Sequence, residues 1–479
     1  MGKFKSMWTF MLLFFLAACS QNEDFYKEDV ADQKDRPLVQ LTAPEYLSIA
    51  YDGENELSNE DATKILQEFI SSEVQTRGTS SGDLSLTVSK EYYLDSPLTR
   101  SNTGDPIKIV EFIIGDKTRT TSNSQGFASV VADQRFPNVI AYAPQGDINE
   151  IDQYGAGLMM KRAKGVAQYH ISTIENYKDS LREKTIEKIK TYLKVEDYSF
   201  ENINKSLVVE QPENKELEDF IQTRGSAVTP SGVPVATIGP LVAERLQWIQ
   251  GFPQNQFIKE CSPEDLPYWD PMMYGGRYPA GCTAVAAATI LTYVKPTIYC
   301  SDLGRNANWS TALGNLQIDW FSDQNASYVK EAAAILKEVS YGIDTRFSAD
   351  GGSASAEAVR TYFGRIGVKM DGRSALNYFT IRPSIGAYKP VLLTGASRNL
   401  GRADYTSGRH AWVMDGIKIM QRGTRQELKQ YNNYGFCHFG WVFGGGNGWY
   451  LFDAGGGISF QYGNELYDME LAAYPNISK

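Results

Sequence analysis

From Ser58 the chain reads Ser-Asn-Glu-Asp and then sets Ala62, Ile65, Leu66 and Phe69 three and four residues apart. That spacing puts apolar side chains on one face of a helix behind a capping residue. Between about 84 and 145 the pattern changes to short β-rich runs, Leu84 to Val88, Ile107 to Ile114, Phe127 to Val131 and Val139 to Tyr142. Gly, Asn, Asp and Pro separate them, which predicts an antiparallel sheet. From 172 to 194 the helical period returns in Ile174, Tyr177, Leu181, Ile186, Ile189 and Leu193. An acidic, weakly patterned stretch then leads to Thr223-Arg224-Gly225, and Pro230, Pro234 and Pro240 with three glycines make 225–240 an extended linker. Beyond it, Gly281 feeds Cys282 into Thr283-Ala284-Val285-Ala286-Ala287-Ala288-Thr289-Ile290-Leu291, a buried helix, and Ala411 onward alternates as a strand.

The first 19 residues have a different character. Lys3 and Lys5, the apolar run Met11 to Phe15 and the small-residue end Leu16-Ala17-Ala18-Cys19 follow the order of a secretory signal, too short to span a membrane. Leu16-Ala17-Ala18-Cys19 is similar to the bacterial lipobox, which implies lipidation of Cys19 and an outer-membrane anchor, with the body surface-exposed or released after processing. An ordinary signal cleavage nearby is the alternative.

Length allows two domains after such a segment. The expected layout is a signal at 1–19, an N-terminal α+β domain at 20–224, the linker at 225–240 and a C-terminal domain at 241–479. With 42% hydrophobic and 22% charged residues, a packed globular body is expected in place of disorder or a coiled coil. Forty-seven basic against 57 acidic residues disfavour a nucleic-acid partner held by charge. His170, His410 and His438 with five cysteines offer no metal-ligand spacing, so neither a metal nor a cofactor is expected. Outside the cytoplasm disulfides form readily, yet Cys261, Cys282, Cys300 and Cys437 are too sparse and irregular for a framework. A single bridge such as Cys261 to Cys300 stays open.

The candidate chemistry lies in the C-terminal half. At a helix N-terminus, unpaired N–H groups and the dipole favour thiolate over thiol, the state a cysteine nucleophile needs. Cys282 stands at such a place. His410 begins the alternating strand beside Gly408, where a base has a fixed backbone and a mobile approach, and it follows Cys282 by 128 residues. That order and scale resemble the papain-like arrangement. Thr76-Arg77-Gly78 and Thr223-Arg224-Gly225 each place a basic residue in a polar segment open to proteolysis, Arg224 being the better placed between domains.

Several ordered segments resemble the streptopain-like cysteine peptidases, collinearly over nearly the whole secreted chain. Gly281-Cys282-Thr283-Ala284 is similar to the family's Gly-Cys-Val-Ala turn, and His410-Ala411-Trp412-Val413-Met414-Asp415-Gly416 to its His-Ala-Phe-Val-Ile-Asp-Gly strand. Gln250-Gly251-Phe252-Pro253-Gln254-Asn255 resembles the segment whose Gln supplies the oxyanion hole. Val339 to Phe347 with Gly351 to Ser355 resembles the border of the cleft, and Gly126 to Asp133 with Val139 to Tyr142 the prodomain sheet.

The resemblance implies an α+β protein in which an inhibitory prodomain precedes a papain-like domain. It implies a Cys282 nucleophile, a His410 base and acid, and an oxyanion hole from the Gln250 amide and the Cys282 N–H. Protein or peptide substrates and the chain's own prodomain would be the partners. Gly444 to Gly448 and Gly455 to Gly457 resemble mobile loops beside the family's site. One departure stands out: where the family has Asn-Trp-Gly-Trp, this chain has His438-Phe439-Gly440-Trp441. His438 is then expected to orient His410 in place of Asn, with Phe439 and Trp441 shielding the pair. The alternative is a surface binding protein that keeps the fold with turnover weakened or lost.

Overall fold

The computed structural model describes residues 37–77, 84–94, 106–116, 125–149, 151, 155–211, 215–224, 233–266, 274–348, 351–397, 409–422, 428–440, 445–454 and 469–479. Cys19, Trp441, Gly444 and Gly455 to Gly457 lie outside them, as do the signal and residues 225–232.

Helix α1 (Asn59–Arg77) starts where Ser58 Oγ accepts the Asp61 N–H, and its buried face carries Ala62, Leu66, Phe69 and Ile70. Four antiparallel strands follow: β1 (Leu84–Leu94), β2 (Ile107–Asp116), β3 (Gln125–Val131) and β4 (Asn138–Ala143). Helix α2 (Gly155–Leu193) begins well before the expected 172, because its first turns are buried nearly all round. Leu158, Met159, Met160, Ala163, Val166 and Ala167 therefore show no amphipathic stripe.

In the C-terminal half, α3 (Cys282–Val294), α4 (Ser327–Gly342) and α5 (Ala356–Arg365) pack together through Ala284 to Leu291, Ala332 to Leu336, Val359 and Phe363. The remaining strands of the large sheet are β5 (Val233–Ile238), β6 (Val391–Ser397), β7 (Arg409–Arg422), β8 (Gln430–His438), β9 (Gly448–Ala454) and β10 (Met469–Tyr474). Their order with the N-terminal strands is β10-β6-β7-β8-β9-β4-β3-β2-β1, and β5 pairs with the far half of β7. Every pairing in this ten-stranded sheet is antiparallel.

Two findings differ from the expected layout. Residues 233–238, read as linker, form a sheet strand: Ile417 pairs with Ile238 and Ile419 with Ala236. The sheet also runs unbroken between the two halves, because β9 pairs with β4 at Trp449–Tyr142 and Tyr450–Ala141. Period-two alternation along β7 explains how one sheet serves two cores. Ala411 and Val413 join the core around α3, whereas Trp412 and Met414 join a core shared with α1, α2 and the N-terminal strands. Buried polar contacts cross the shared core: Tyr434 Oη donates to Val139 O at 2.8 Å, Asn432 Nδ2 to Asn138 Oδ1 at 2.8 Å and Trp449 Nε1 to Glu73 Oε2 at 2.8 Å. Glu73 also pairs with the buried Lys418 amino group. Among the described residues no helix is long and apolar enough to cross a membrane, and no cluster of metal-ligating side chains occurs.

Candidate active site

The turn into α3 is built by backbone crowding. Gly281 has φ +88°, and a Cβ there would fall on the Gly352 backbone, so only glycine fits. Gly352 belongs to the hairpin of Arg346–Ser348 and Gly351–Ser353, which crosses the turn, and Thr283 Oγ1 ties it down by donating to Ala354 O at 3.1 Å. Gly281 offers no side-chain cap, so the first N–H groups of α3 remain available to an anion.

Cys282 is the first residue of α3 and is half-buried. Burial pushes its thiol pKa up, while the amides of Ala411 and Thr283 and the Thr283 hydroxyl, all within reach of the sulfur, favour the thiolate. The helix N-terminus and the start of β7 are thus brought together. His410 is the residue before Ala411, and burial pushes its imidazole pKa down to about 4, so the ring is neutral at pH 7. Strand alternation assigns His410 to the Trp412 face and Ala411 to the α3 face. The sulfur meets the strand at Ala411, one residue after His410. Burial thus favours the neutral form of both the Cys282 thiol and the His410 imidazole.

Gln250 is fastened beside the turn, its carbonyl accepting the Ala280 N–H at 2.8 Å. Two residues that the sequence did not single out hold this segment from inside. Gln254 Oε1 accepts the Ile249 N–H at 2.7 Å, and Asn255 Nδ2 donates to Tyr274 O at 2.9 Å and Tyr278 O at 3.2 Å. Both are fully buried.

His438, the expected orienter of His410, is the last residue of β8. It pairs in register with Val413, on the α3 face, and neither ring nitrogen makes a hydrogen bond. Its Nε2 stands 3.4 Å from Asp415 Oδ1, with both side chains buried. Asp415 Oδ2 accepts the Val242 N–H at 2.6 Å, so the carboxylate ties the start of the C-terminal half to the sheet. Phe439 lies on the opposite face, edge-on to Tyr450 at 5.5 Å and 6.2 Å from the Trp412 ring. It covers Trp412, not His438. Asn447, also missed from sequence, clamps this end of the site: Oδ1 accepts the Phe439 N–H at 2.9 Å and Nδ2 donates to Leu246 O at 3.3 Å. Asp415 stood inside the quoted strand motif, whereas nothing in the pattern marks Asn447. Arg224 is the last residue of the helix Lys215–Arg224, and Cys261, Cys282, Cys300 and Cys437 are all free thiols.

No protein-family profile matches the chain. Its sequence is similar to the thiol protease/hemagglutinin PrtT of Porphyromonas gingivalis, 24% identical over 350 residues, which is 67% of this chain. The chain spans only 32% of that protein's length. Among solved structures it is similar to the active wild-type interpain A cysteine protease of Prevotella intermedia at 13% identity, covering 51% of this chain and 96% of that one with a TM-score of 0.32. The sequence relationship is thus to a cysteine protease, at low identity.

Proposed function

We propose that the chain is a streptopain-like cysteine endopeptidase made as a zymogen. The observation that carries this reading is the meeting of Cys282, at the N-terminus of a buried helix, with the backbone beside His410. Similarity to a thiol protease supports it. In the working form the His410 ring turns across the strand end to the sulfur, takes the thiol proton and holds the thiolate as an ion pair. The thiolate adds to the carbonyl carbon of the scissile peptide, and the Cys282 N–H and Gln250 side-chain amide receive the oxyanion. Losing one such donor costs about 3 kcal/mol in comparable enzymes. His410 then protonates the leaving amine, and water deprotonated by His410 releases the acid product from the thioester and restores the thiol.

Residues 20–224 act in this reading as an inhibitory prodomain. The neutral thiol and neutral imidazole are what a latent enzyme requires. Cleavage near Arg224 relieves the latency, Cys19 carries the lipid anchor at the outer membrane, and proteins or peptides are the substrates. Incubation of the processed protein with casein tests this: cleavage that Cys282→Ala removes is expected, and casein left intact by the processed chain overturns it.

One observation favours a second reading, a binding protein of the same fold with weakened turnover. His438, expected to orient His410, stands instead with its Nε2 3.4 Å from Asp415 Oδ1.

A further inference from the structure

The Gly-rich segment after β8 is shaped around a piece of backbone. A Cβ on Gly448 would strike the Tyr142 carbonyl and approach Ala143 Cα to 2.8 Å, so the glycine leaves room for a chain lying across it. That chain is the end of β4, which runs on from its pairing with Trp449 and Tyr450. Three residues past Tyr142, Gln145 is held from both sides of the molecule. Its carbonyl accepts the Gly446 N–H at 3.2 Å, and its side-chain Oε1 accepts from Gln317 Nε2 at 3.3 Å.

Gln317 belongs to the α3–α5 side of the site, in the stretch bonded to the segment that leads to Gln250. Gln247 N donates to Leu316 O at 2.8 Å and Ile318 N to Gln247 O at 3.2 Å. Gly446 belongs to the sheet side, and Asn447 beside it reaches Leu246 O. A peptide seated as Gln145 is seated therefore bridges the two sides at one end of the candidate active site, with a main-chain bond on one side and a carboxamide bond on the other.

We propose that β9 together with Gly445 to Gly448 and Gln317 is a peptide-binding groove of the processed protein. It takes an extended substrate segment that adds a strand to the β9 edge and carries a glutamine three residues after the position opposite Trp449. Edge addition supplies main-chain bonds whatever the sequence, and the pocket beyond supplies the selectivity. The N-terminal part fills the groove in the structure described, so this rests on the zymogen reading above. Asparagine, one methylene shorter, reaches Gln317 less well.

The test uses the full-length Cys282→Ala chain, so that peptide binding is read without turnover. The chain is cleaved between its halves, and in parallel an uncleaved Tyr142→Pro variant removes the β4 pairing in cis. A fluorescein-labelled peptide of residues 138–146 and the same peptide with Ala in place of Gln are titrated by fluorescence polarisation. The glutamine peptide is expected to bind about fivefold more tightly, the scale of one hydrogen bond. Gln317→Ala should abolish that difference and leave the Ala peptide unchanged, and Gly448→Val, which also crowds the Tyr142 carbonyl in cis and so lowers the melting temperature of the full chain, should abolish binding of both. Equal binding of the two peptides, or no binding to either the cleaved or the Tyr142→Pro chain, overturns the groove. If Cys282 proves unreactive in the processed wild-type chain while the peptides still discriminate, the peptidase reading fails and the groove stands.

Discussion

The Cys282 sulfur reaches the backbone amide of Ala411, the immediate neighbour of His410. The candidate base thus stands in the strand one residue before the amide that the thiol meets. Burial raises the thiol and lowers the imidazole, and the two shifts act in the same sense, against the ion pair.

In the unprocessed chain, Cys282 should accordingly alkylate as an ordinary thiol with a raised pKa. Its rate with iodoacetamide should climb about tenfold per pH unit from 6 to 8, because the thiolate is the reacting species. After processing the rate should be nearly flat over that range. Stopped alkylation followed by mass spectrometry of the Cys282 peptide reads both.

Acid should loosen the latent form through two histidines. His170, buried in α2, and His410 are both held down to about 4, below the ordinary histidine value near 6.5. The unfolded chain binds these protons first, so each group withdraws stability as pH falls from about 6.5 to 4. Asp453 acts oppositely: burial raises it to about 6, so the folded form binds its proton first and gains as pH falls through that value. The His170→Leu variant should lose less melting temperature between pH 7 and pH 4.5 than the wild type. Parallel curves for the two would contradict the assignment.

The Glu73 carboxylate, from α1, pairs with buried Lys418 and accepts from Trp449. Burial holds the Lys418 pKa well below its ordinary range, so Glu73→Ala should cost about 1 to 3 kcal/mol by leaving that buried amine and the Trp449 N–H unpaired. Lys418→Met combined with Glu73→Leu should recover most of the loss. Urea denaturation of the full chain measures both, and additive losses would show that the two side chains are not coupled.

His438 stands beside Asp415. His438→Asn should therefore change casein turnover by no more than about twofold, while Asp415→Ala should destabilise the fold by about 1 to 3 kcal/mol by stranding the Val242 N–H. A rate gain of tenfold or more in His438→Asn would mean that its ring acts on His410 after processing.

These outcomes also mark what the sequence made legible. Helix α1, the four N-terminal strands and the Cys282 helix were readable because amphipathic spacing and Gly or Pro punctuation are local signals. The first turns of α2 were not, since a segment buried on all sides has no polar face to set the period. The fusion of the two sheets at Trp449 and Tyr142 depends on contacts some 300 residues apart, which no local pattern encodes. At the site, Cys282, Gln250 and the start of β7 were found by motif, and the structure gathers them. That His438 lies beside Asp415 was not legible, because the cross-strand register that pairs it with Val413 is set by contacts distant in sequence.

The most direct measurement is epoxide labelling of the chain before and after processing, followed by peptide mapping. The account predicts one adduct, on Cys282, formed only after processing and lost when His410 is replaced by Ala. An adduct on Cys261 instead, or full labelling of Cys282 in the processed His410→Ala variant, would contradict it.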